Sequence, residues 1–271
     1  MKQNLDEITK KLENGVKAVF TSEKYMEYLR FMSSFYEYSI NNSILIWSQM
    51  PEATLVAGFK AWQAKGRTVK KGEKGIVIIA PCPHKAVKKV KDENGNEVEK
   101  EVKYTTFRAA YVFDISQTEG EDVPRMCALL EGDVDQFDDL VEKLIAVAPV
   151  PVEFKAFESP ANGYFDRAEQ KIVVQPDRSE VHKLKTLIHE IAHSILHCED
   201  GDQEKVDRQT AEVQAESVAY TVCAALGLDT SDYSFGYVAG WSDGKDVKEL
   251  TESMDVIRKT AAEILNAMKA A

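Results

Sequence analysis

The chain has 271 residues, a length typical of one large or two small domains, and its 44% apolar content is ordinary for a globular protein. No stretch approaches the roughly 20 apolar residues that a membrane span needs. The charged start, MKQNLDEITKKLENG, lacks the apolar core of a signal peptide. The sequence therefore predicts a cytoplasmic protein without a membrane partner.

The net charge of −11 is divided unevenly along the chain. Residues 1–125 hold 20 basic and 17 acidic side chains, a balance of +3, whereas residues 126–271 hold 14 and 28, a balance of −14. Between Lys60 and Lys91 there are ten Lys or Arg residues and a single acid, Glu73. A basic segment on an acidic chain indicates an anionic partner for that segment.

Helices and strands alternate in the first half of the chain. We expect helices at 3–19 and 22–48, the second ended by Pro51, and strands at 76–80 and 108–115. Asn94-Gly95 is typical of a tight turn and lies between two charged runs, which predicts a ribbon of two strands. The segment SQTEGEDVP is expected to be a loop, and we place a domain boundary there, between 1–125 and 126–271.

The second half predicts a further mixture of helices and strands. Gly163–Phe165 and Ile172–Val174 are expected to pair as a hairpin. The other elements predicted are a strand at 150–154 and helices at 134–146, 179–197, 210–226 and 246–269. The expected fold class is therefore α+β in both domains.

His189-Glu190-Ile191-Ala192-His193 is the most informative motif in the sequence. Histidines four residues apart lie on one face of a helix, so both imidazoles can bind a single Zn²⁺ ion. Glu190 follows the first ligand and suits the role of general base toward a water activated by the ion. The uncharged residues around the motif predict a buried helix that holds both ligands rigidly. This chemistry indicates a zinc metallopeptidase.

A catalytic zinc site usually has three protein ligands, so we expect the third on the next helix. Glu212 and Glu216 lie one turn apart there. We predict Glu216 as the ligand, with Glu212 either near the site or solvated. His197 and Tyr220 are further candidates, for a contact with a ligand and for a donor to a developing oxyanion, although structural roles are also open.

If the strand at Ile172–Val174 lies at the edge of a sheet beside the cleft, a peptide substrate could add to it as a further strand, although the sequence does not show whether that edge is open. The protein or peptide substrate itself is not identified by the sequence.

Basic and aromatic side chains lie close together in the first half. Positive charge attracts phosphates and aromatic rings stack on bases, so the segment favours single-stranded DNA, although a solvated turn is the alternative. The candidate DNA-binding residues are Lys60, Trp62, Lys65, Arg67, Lys70, Lys71 and Lys74.

Several segments resemble the ArdC-like antirestriction family, also seen as LtrC-like proteins of conjugative elements. The segments NNSILIWSQMPEATLVAGFKAWQAKGRTVKKGEKGIVIIAP and YVFDISQTEG resemble its N-terminal domain, which implies binding of single-stranded DNA. TLIHEIAHSILH and AEVQAESVAY look like its zincin-type C-terminal domain, itself similar to ImmA/IrrE-type peptidases. In those peptidases a Glu supplies the third ligand, and the alignment places it at Glu216.

The sequence departs from the family pattern at three places. Phe113-Asp114 stands where the family has a phenylalanine-asparagine pair, and Ala211 stands where an acid is common. The ribbon at 85–103 looks like an insertion. These differences leave the metal motif intact and concern mainly the DNA contacts.

The leading hypothesis is an antirestriction-type protein of a mobile element that binds single-stranded DNA and hydrolyses peptide bonds. One alternative is a DNA-binding protein without proteolysis, whose metal domain is structural or regulatory. Another is a peptidase that cleaves a repressor, as the likeness to ImmA-type proteins implies.

Overall fold

The fold is taken from a computed structural model, which describes residues 5–20, 22–91, 97–122, 136–198, 206–228, 235–236 and 238–271. The turn expected at Asn94-Gly95 and the domain boundary expected at residue 125 lie outside the described residues. The division into 1–125 and 126–271 therefore stays a prediction.

Helices and strands follow one another along the described chain. The helices are α1 (Leu5–Val19), α2 (Ser22–Phe35), α3 (Ile40–Gln49), α4 (Phe59–Ala64), α5 (Gln136–Val147), α6 (Glu180–Leu196), α7 (Arg208–Ala225), α8 (Val238–Ser242) and α9 (Val247–Ala270). The strands are β1 (Val56–Gly58), β2 (Arg67–Val69), β3 (Ile76–Lys91), β4 (Glu97–Asp114), β5 (Thr118–Gly120), β6 (Val152–Phe154), β7 (Gly163–Asp166) and β8 (Lys171–Val174). The mixture of helix and strand confirms the α+β expectation.

The single helix expected at 22–48 is wrong, because the structure divides this segment into α2 and α3. Ser39 has an extended backbone, and its Oγ accepts a hydrogen bond from the main-chain N–H of Asn42 at 3.4 Å. A serine that caps a new helix in this way competes with continuation of the preceding one. The apolar spacing alone carries no sign of this interruption.

A long antiparallel hairpin dominates the first half. β3 pairs with β4 from Ile76↔Val112 to Lys91↔Glu97, so the strands and ribbon expected separately are parts of one hairpin. β1 adds on the other side of β4. The segment expected to be a loop contains β5, which pairs with β2. Gly120 has φ +136°, and a Cβ there would lie 2.3 Å from the carbonyl oxygen of Gly66, so this short strand needs a residue that sequence reading assigns to loops.

The outer edge of β3 is covered by amide side chains of α3. Asn42 bonds both the N–H and the carbonyl of Ile79, at 2.9 Å each, and Gln49 does the same for Val77 at 3.1 and 2.9 Å. The next residues of the same orientation are Pro81 and Pro83, which have no N–H. Each outward N–H of β3 between residues 77 and 83 is therefore either hydrogen-bonded to α3 or replaced by a proline nitrogen.

A second sheet has the order β6-β8-β7, with β8 parallel to β6 and antiparallel to β7. The hairpin of β7 and β8 was expected. However, β8 is the central strand, so the condition that Ile172–Val174 forms a sheet edge is not met. The short β6 pairs with all but one residue of β8, so a peptide cannot add to that side of β8.

Helices from both halves pack into one apolar core, which extends from Val16 of α1 to Met268 of α9. Its polar contacts also cross between the halves. The hydroxyl of Tyr25 lies 2.8 Å from Oγ of Ser217, and Nη1 of Arg258 donates to the carbonyl of Tyr36 at 2.8 Å. Among the described residues, no helix is both long and apolar enough to cross a membrane.

Candidate metal centre

The site is built on α6, whose ends are close to those expected at 179 and 197. Ser179 precedes its first turn and His197 follows its last. Leu187, Ile188 and Ile191 are fully buried, which fixes the rotation of the helix about its axis. The opposite stripe therefore presents His189 and His193 together toward α7.

Three potential ligand atoms converge between α6 and α7. Nε2 of His189 lies 3.0 Å from Nε2 of His193. Oε2 of Glu212 lies 3.7 Å from the first of these atoms and 3.6 Å from the second. One donor atom from each residue therefore falls within 4.8 Å of the others, a cluster that could hold a metal ion.

Glu216, which sequence reasoning favoured as the third ligand, lies on the other side of the His189 ring. Its Oε2 is 3.1 Å from the buried Nδ1 of His189. The structure thus gathers Glu212 with the two Nε2 atoms and places Glu216 behind one of them. Glu212 and Glu216 lie one turn apart on α7, and sequence spacing alone does not tell which of them approaches the Nε2 atoms.

The charges of the cluster change the pKa values of its members. Burial lowers the pKa of His189, but the contact with Glu216 and the charges of Glu190, Glu216 and Glu212 outweigh it and hold that pKa above its usual value. The pKa of Glu212 is lowered, chiefly by its contact with His193. Burial lowers the pKa of His197, which favours its neutral form.

Glu190 is buried between α6 and β7. Burial raises the pKa of its carboxyl, while His189, His193 and a hydrogen bond from the main-chain N–H of Phe165 act in the opposite direction. Gly163 allows this close approach, because a Cβ there would lie 2.5 Å from Cγ2 of Thr186 and 3.4 Å from Cγ of Glu190. A protonatable group is thus held at a fixed place beside the imidazoles.

A cleft of about 330 Å³ opens beside the cluster. It is lined by Asn162, Gly163, His182, Lys185, Thr186, His189, Glu190 and Glu216. Sequence reasoning did not identify the first five of these as site residues. His182, Lys185, Thr186 and His189 recur at three- and four-residue steps on one helical face, which is the signal that could have identified those on α6.

The two remaining candidates near the motif have different surroundings. Nδ1 of His197 lies 3.0 Å from Nδ1 of His193, so this side chain contacts the site. Tyr220 is 1% exposed and packs edge-on against Phe235 at 5.7 Å between ring centroids. Its ring therefore belongs to the core rather than to the lining of the cleft.

Trp62 and Arg67, predicted to contact DNA, are buried. The indole Nε1 of Trp62 donates to the carbonyl of Phe113 at 2.8 Å, and no part of the ring is exposed for a base to stack on. The guanidinium of Arg67 donates to Thr118, Gly120 and Glu121. Trp62 thus bonds β4 and Arg67 bonds β5, so the structure does not support them as DNA contacts.

The five lysines of the predicted DNA surface are exposed, namely Lys60, Lys65, Lys70, Lys71 and Lys74. One of them, Lys70, donates to the carbonyl of Ser116 at 2.8 Å. Phe59, an aromatic residue within the basic segment, is 46% exposed, and two exposed rings of β4 that sequence reasoning missed are Phe107 at 57% and Tyr111 at 44%. Phe107 and Tyr111 are four residues apart in β4, so they share one face.

Fold and site together define an α+β protein with a candidate metal centre of two histidines and a glutamate. Residues 1–113 match a family model described as the N-terminal domain of anti-restriction factor ArdC. The predicted resemblance to the ArdC-like family is therefore confirmed, whereas the likeness to ImmA/IrrE-type peptidases stays a prediction.

Individual relatives are more distant. An uncharacterized Bacillus anthracis protein, pXO2-81, is 29% identical over 306 aligned positions, which include 98% of this chain and 51% of that protein. The chain thus spans about half the length of this relative. Two crystal structures of the antirestriction ArdC protein from plasmid R388 align with 86% of this chain. The metal-free one has TM-score 0.49, 19% identity and 86% of its chain covered, and the Mn(II)-bound one 0.48, 20% and 83%.

Proposed function

We propose that this chain is an antirestriction protein of a mobile element that joins a zinc-dependent peptidase centre to a surface for single-stranded DNA. One observation carries the peptidase half. Two imidazole nitrogens and the carboxylate of Glu212 converge beside the buried carboxyl of Glu190, next to an open cleft. Peptide hydrolysis assisted by a metal needs ligands and a base in this relation.

The residues present fit a divalent cation. Imidazole nitrogen and carboxylate oxygen are the donors that Zn²⁺ takes in catalytic sites, and three such atoms lie within 4.8 Å of one another. The other ring nitrogen of His189 faces Glu216, which leaves its Nε2 for a cation. When bound, Zn²⁺ would supply Lewis acidity, which makes water more acidic and polarises a peptide carbonyl.

We assign Glu212 as the third ligand in place of Glu216. Glu212 approaches the Nε2 atoms of both histidines, whereas Glu216 contacts only Nδ1 of His189. A carboxylate on that nitrogen orients the ring and makes the ligand more basic. Each of the two acids, one turn apart on α7, thus has its own task.

Glu190 acts as the general base in this proposal. Its burial favours the neutral carboxyl, so a proton taken from water is held readily and can be delivered to a leaving amine. The Phe165 N–H fixes one carboxyl oxygen, which limits rotation of the side chain. Glu190 therefore keeps its position while its protonation changes.

The substrate is an extended peptide bound along β7. In the described sheet β8 is central and β7 lies at the edge, and Asn162 and Gly163 at the start of β7 line the cleft. The carbonyl of Asn162 accepts a hydrogen bond from the main-chain N–H of Gln175. Because successive residues of a strand point their main-chain groups to opposite sides, the N–H and C=O of Gly163 face away from β8. A peptide that paired there would enter the cleft that His189 and Glu190 line.

The test of the peptidase half is Glu190→Gln. We expect the variant to bind Zn²⁺ with wild-type affinity and to lose proteolysis by about 10²- to 10⁴-fold, because the amide cannot accept a proton. Glu263→Gln, on the exposed side of α9, is the matched control and should cleave like wild type. Cleavage of a casein or peptide-library substrate by Glu190→Gln at the wild-type rate would contradict the mechanism.

The DNA half is supported by the exposed lysines and by the aromatic face of β4. Tyr111 and Phe107 lie about 13 Å apart along the strand, and bases of a single strand can stack on such rings while lysines bind its phosphates. This half does not depend on the metal centre. If Glu190→Gln protects incoming DNA from restriction as well as wild type does, catalysis is not needed for that protection.

A further inference from the structure

Four polar side chains form a chain of contacts that leads away from the candidate metal centre. Nδ1 of His193 lies 3.0 Å from Nδ1 of His197, and Nε2 of His197 lies 3.2 Å from Oε1 of Gln214. Nε2 of Gln214 donates to Oγ of Ser253 at 3.3 Å. The chain joins α6, α7 and α9, three helices that pack in the common core.

With a cation bound to Nε2 of His193, the hydrogen bonds in this chain have one consistent direction. His193 must keep Nε2 unprotonated to bind a cation, so its proton lies on Nδ1 and is donated to His197. His197 then accepts at Nδ1 and carries its own proton on Nε2, which it donates to Oε1 of Gln214. If the Gln214 amide were reversed, two donors would face each other. This direction therefore requires the orientation seen here, in which Nε2 of Gln214 faces Oγ of Ser253.

We propose that His197 and Gln214 are positioning residues that fix the neutral tautomer of His193 and so present its Nε2 to the cation. The proposal rests on the metal binding proposed above. The two ligand histidines are then oriented by different means, since His189 has the carboxylate of Glu216 behind it and His193 has a neutral relay. The relay orients the ring without adding negative charge to the site.

A purely structural role for His197 makes a different prediction. His197 also ends α6, where its main-chain N–H bonds the carbonyl of His193 at 2.9 Å. That bond does not depend on the side chain. A structural histidine would affect folding stability alone, whereas a positioning histidine affects the His193 tautomer and the metal affinity.

The experiment compares His197→Phe with His197→Asn. Phe keeps a ring without nitrogen, while the Oδ1 of Asn can accept at the position of Nδ1. We expect His197→Phe to lower Zn²⁺ affinity by about 10- to 100-fold, measured by chelator competition, and His197→Asn to restore most of it. Gln214→Leu should also weaken binding, and Gln209→Leu, exposed on the same helix, is the matched control.

A second readout uses the metal-free protein. Long-range ¹H–¹⁵N spectra report which ring nitrogen of His193 carries the proton, and we expect Nδ1 in wild type and a mixture of tautomers in Gln214→Leu and His197→Phe. Unchanged affinity together with an unchanged tautomer in either variant would overturn the proposal. If wild type binds no metal, the proposed peptidase centre fails, and the tautomer measurement alone decides whether the relay exists.

Discussion

The metal centre and the basic surface around β2 and β4 use charged side chains in opposite ways. At the centre, Glu190 and the imidazoles are largely buried, and each contacts another polar group within a few ångströms. On the basic surface the five lysines are exposed, whereas the two buried residues predicted there, Trp62 and Arg67, bond the protein itself. Buried polar groups depend on exact partners, whereas exposed charges act mainly through their sum. Single substitutions should therefore have sharper effects at the centre than among the lysines.

The largest expected effect tests whether Trp62 belongs to the core. Trp62→Ala should lower the free energy of unfolding by about 3–5 kcal/mol, because it removes a fully buried ring and leaves the carbonyl of Phe113 without its donor. Urea denaturation followed by circular dichroism measures the change. Phe59→Ala, on the exposed side of α4, is the control and should leave stability nearly unchanged. A stable Trp62→Ala variant with weakened DNA binding would return Trp62 to the DNA surface.

Glu212 and Glu216 provide the next test, within the metal centre itself. Glu216→Gln should reduce Zn²⁺ affinity by about 10- to 100-fold, because it weakens the group behind His189 without removing a ligand. Glu212→Gln should reduce it further, since it replaces a charged ligand. Isothermal titration with Zn²⁺ ranks the two variants. The reverse order would restore Glu216 as the ligand.

The aromatic face of β4 is tested by a pair of tyrosines. Tyr111 and Tyr104 are similarly exposed but lie on opposite faces of the strand. Tyr111→Ala should weaken binding of an oligo-dT probe by about 1–3 kcal/mol, the contribution of one stacked base, while Tyr104→Ala should not. Fluorescence anisotropy at several salt concentrations measures both. Equal losses of DNA affinity in the two variants would contradict a DNA surface on the face of β4 that carries Tyr111.

The contributions of the lysines to DNA affinity should be additive and should decrease as the salt concentration rises. Replacing Lys70, Lys71 and Lys74 together with Glu should weaken the same probe uniformly across sequences and reduce the dependence of affinity on salt. A triple variant with wild-type affinity and salt dependence would exclude this turn from the DNA surface.

The smallest effect concerns the start of α7, which positions Glu212. Asp207 accepts a hydrogen bond from the N–H of Thr210 at 2.9 Å and another from its hydroxyl at 2.6 Å. Both bonds lower the pKa of the Asp207 carboxyl, and the bond from the hydroxyl has the larger effect. Asp207→Ala should cost about 1 kcal/mol at neutral pH, while Asp207→Asn retains most of the cap. Because the folded pKa is lowered, the contribution is complete above the unfolded pKa and is lost as pH falls through the folded pKa. In thermal melts the difference between wild type and Asp207→Ala should therefore be present at neutral pH and become smaller at acid pH.

Regular spacing made much of the helical structure predictable. The ends of α6 and the hairpin of β7 and β8 follow from periodicity and turn residues, and two histidines four apart must share a helix face. The choice between Glu212 and Glu216 could not follow from spacing, because it depends on how far α7 is displaced along α6. The central place of β8 depends on its pairing with β6, and the strand expected at 150–154 carried no sign of that partner.

Composition was a weaker guide in the first half. Trp62 and Arg67 fit a nucleic-acid surface by residue type, yet burial directs their donors to Phe113 and to β5. The break between α2 and α3 depends on a single cap at Ser39. Which residues face outward is decided by packing between elements, and a composition count does not contain that information.

The covered edge of β3 has a consequence for self-association. A hairpin as long as that of β3 and β4 could recruit the strands of other copies and begin fibrous aggregation. Such pairing is blocked along residues 77–83 of β3. Another strand would have to displace the amides of Asn42 and Gln49, and it would then find two prolines that have no N–H to donate. A long hairpin can therefore be present without an aggregation-prone strand edge beside α3.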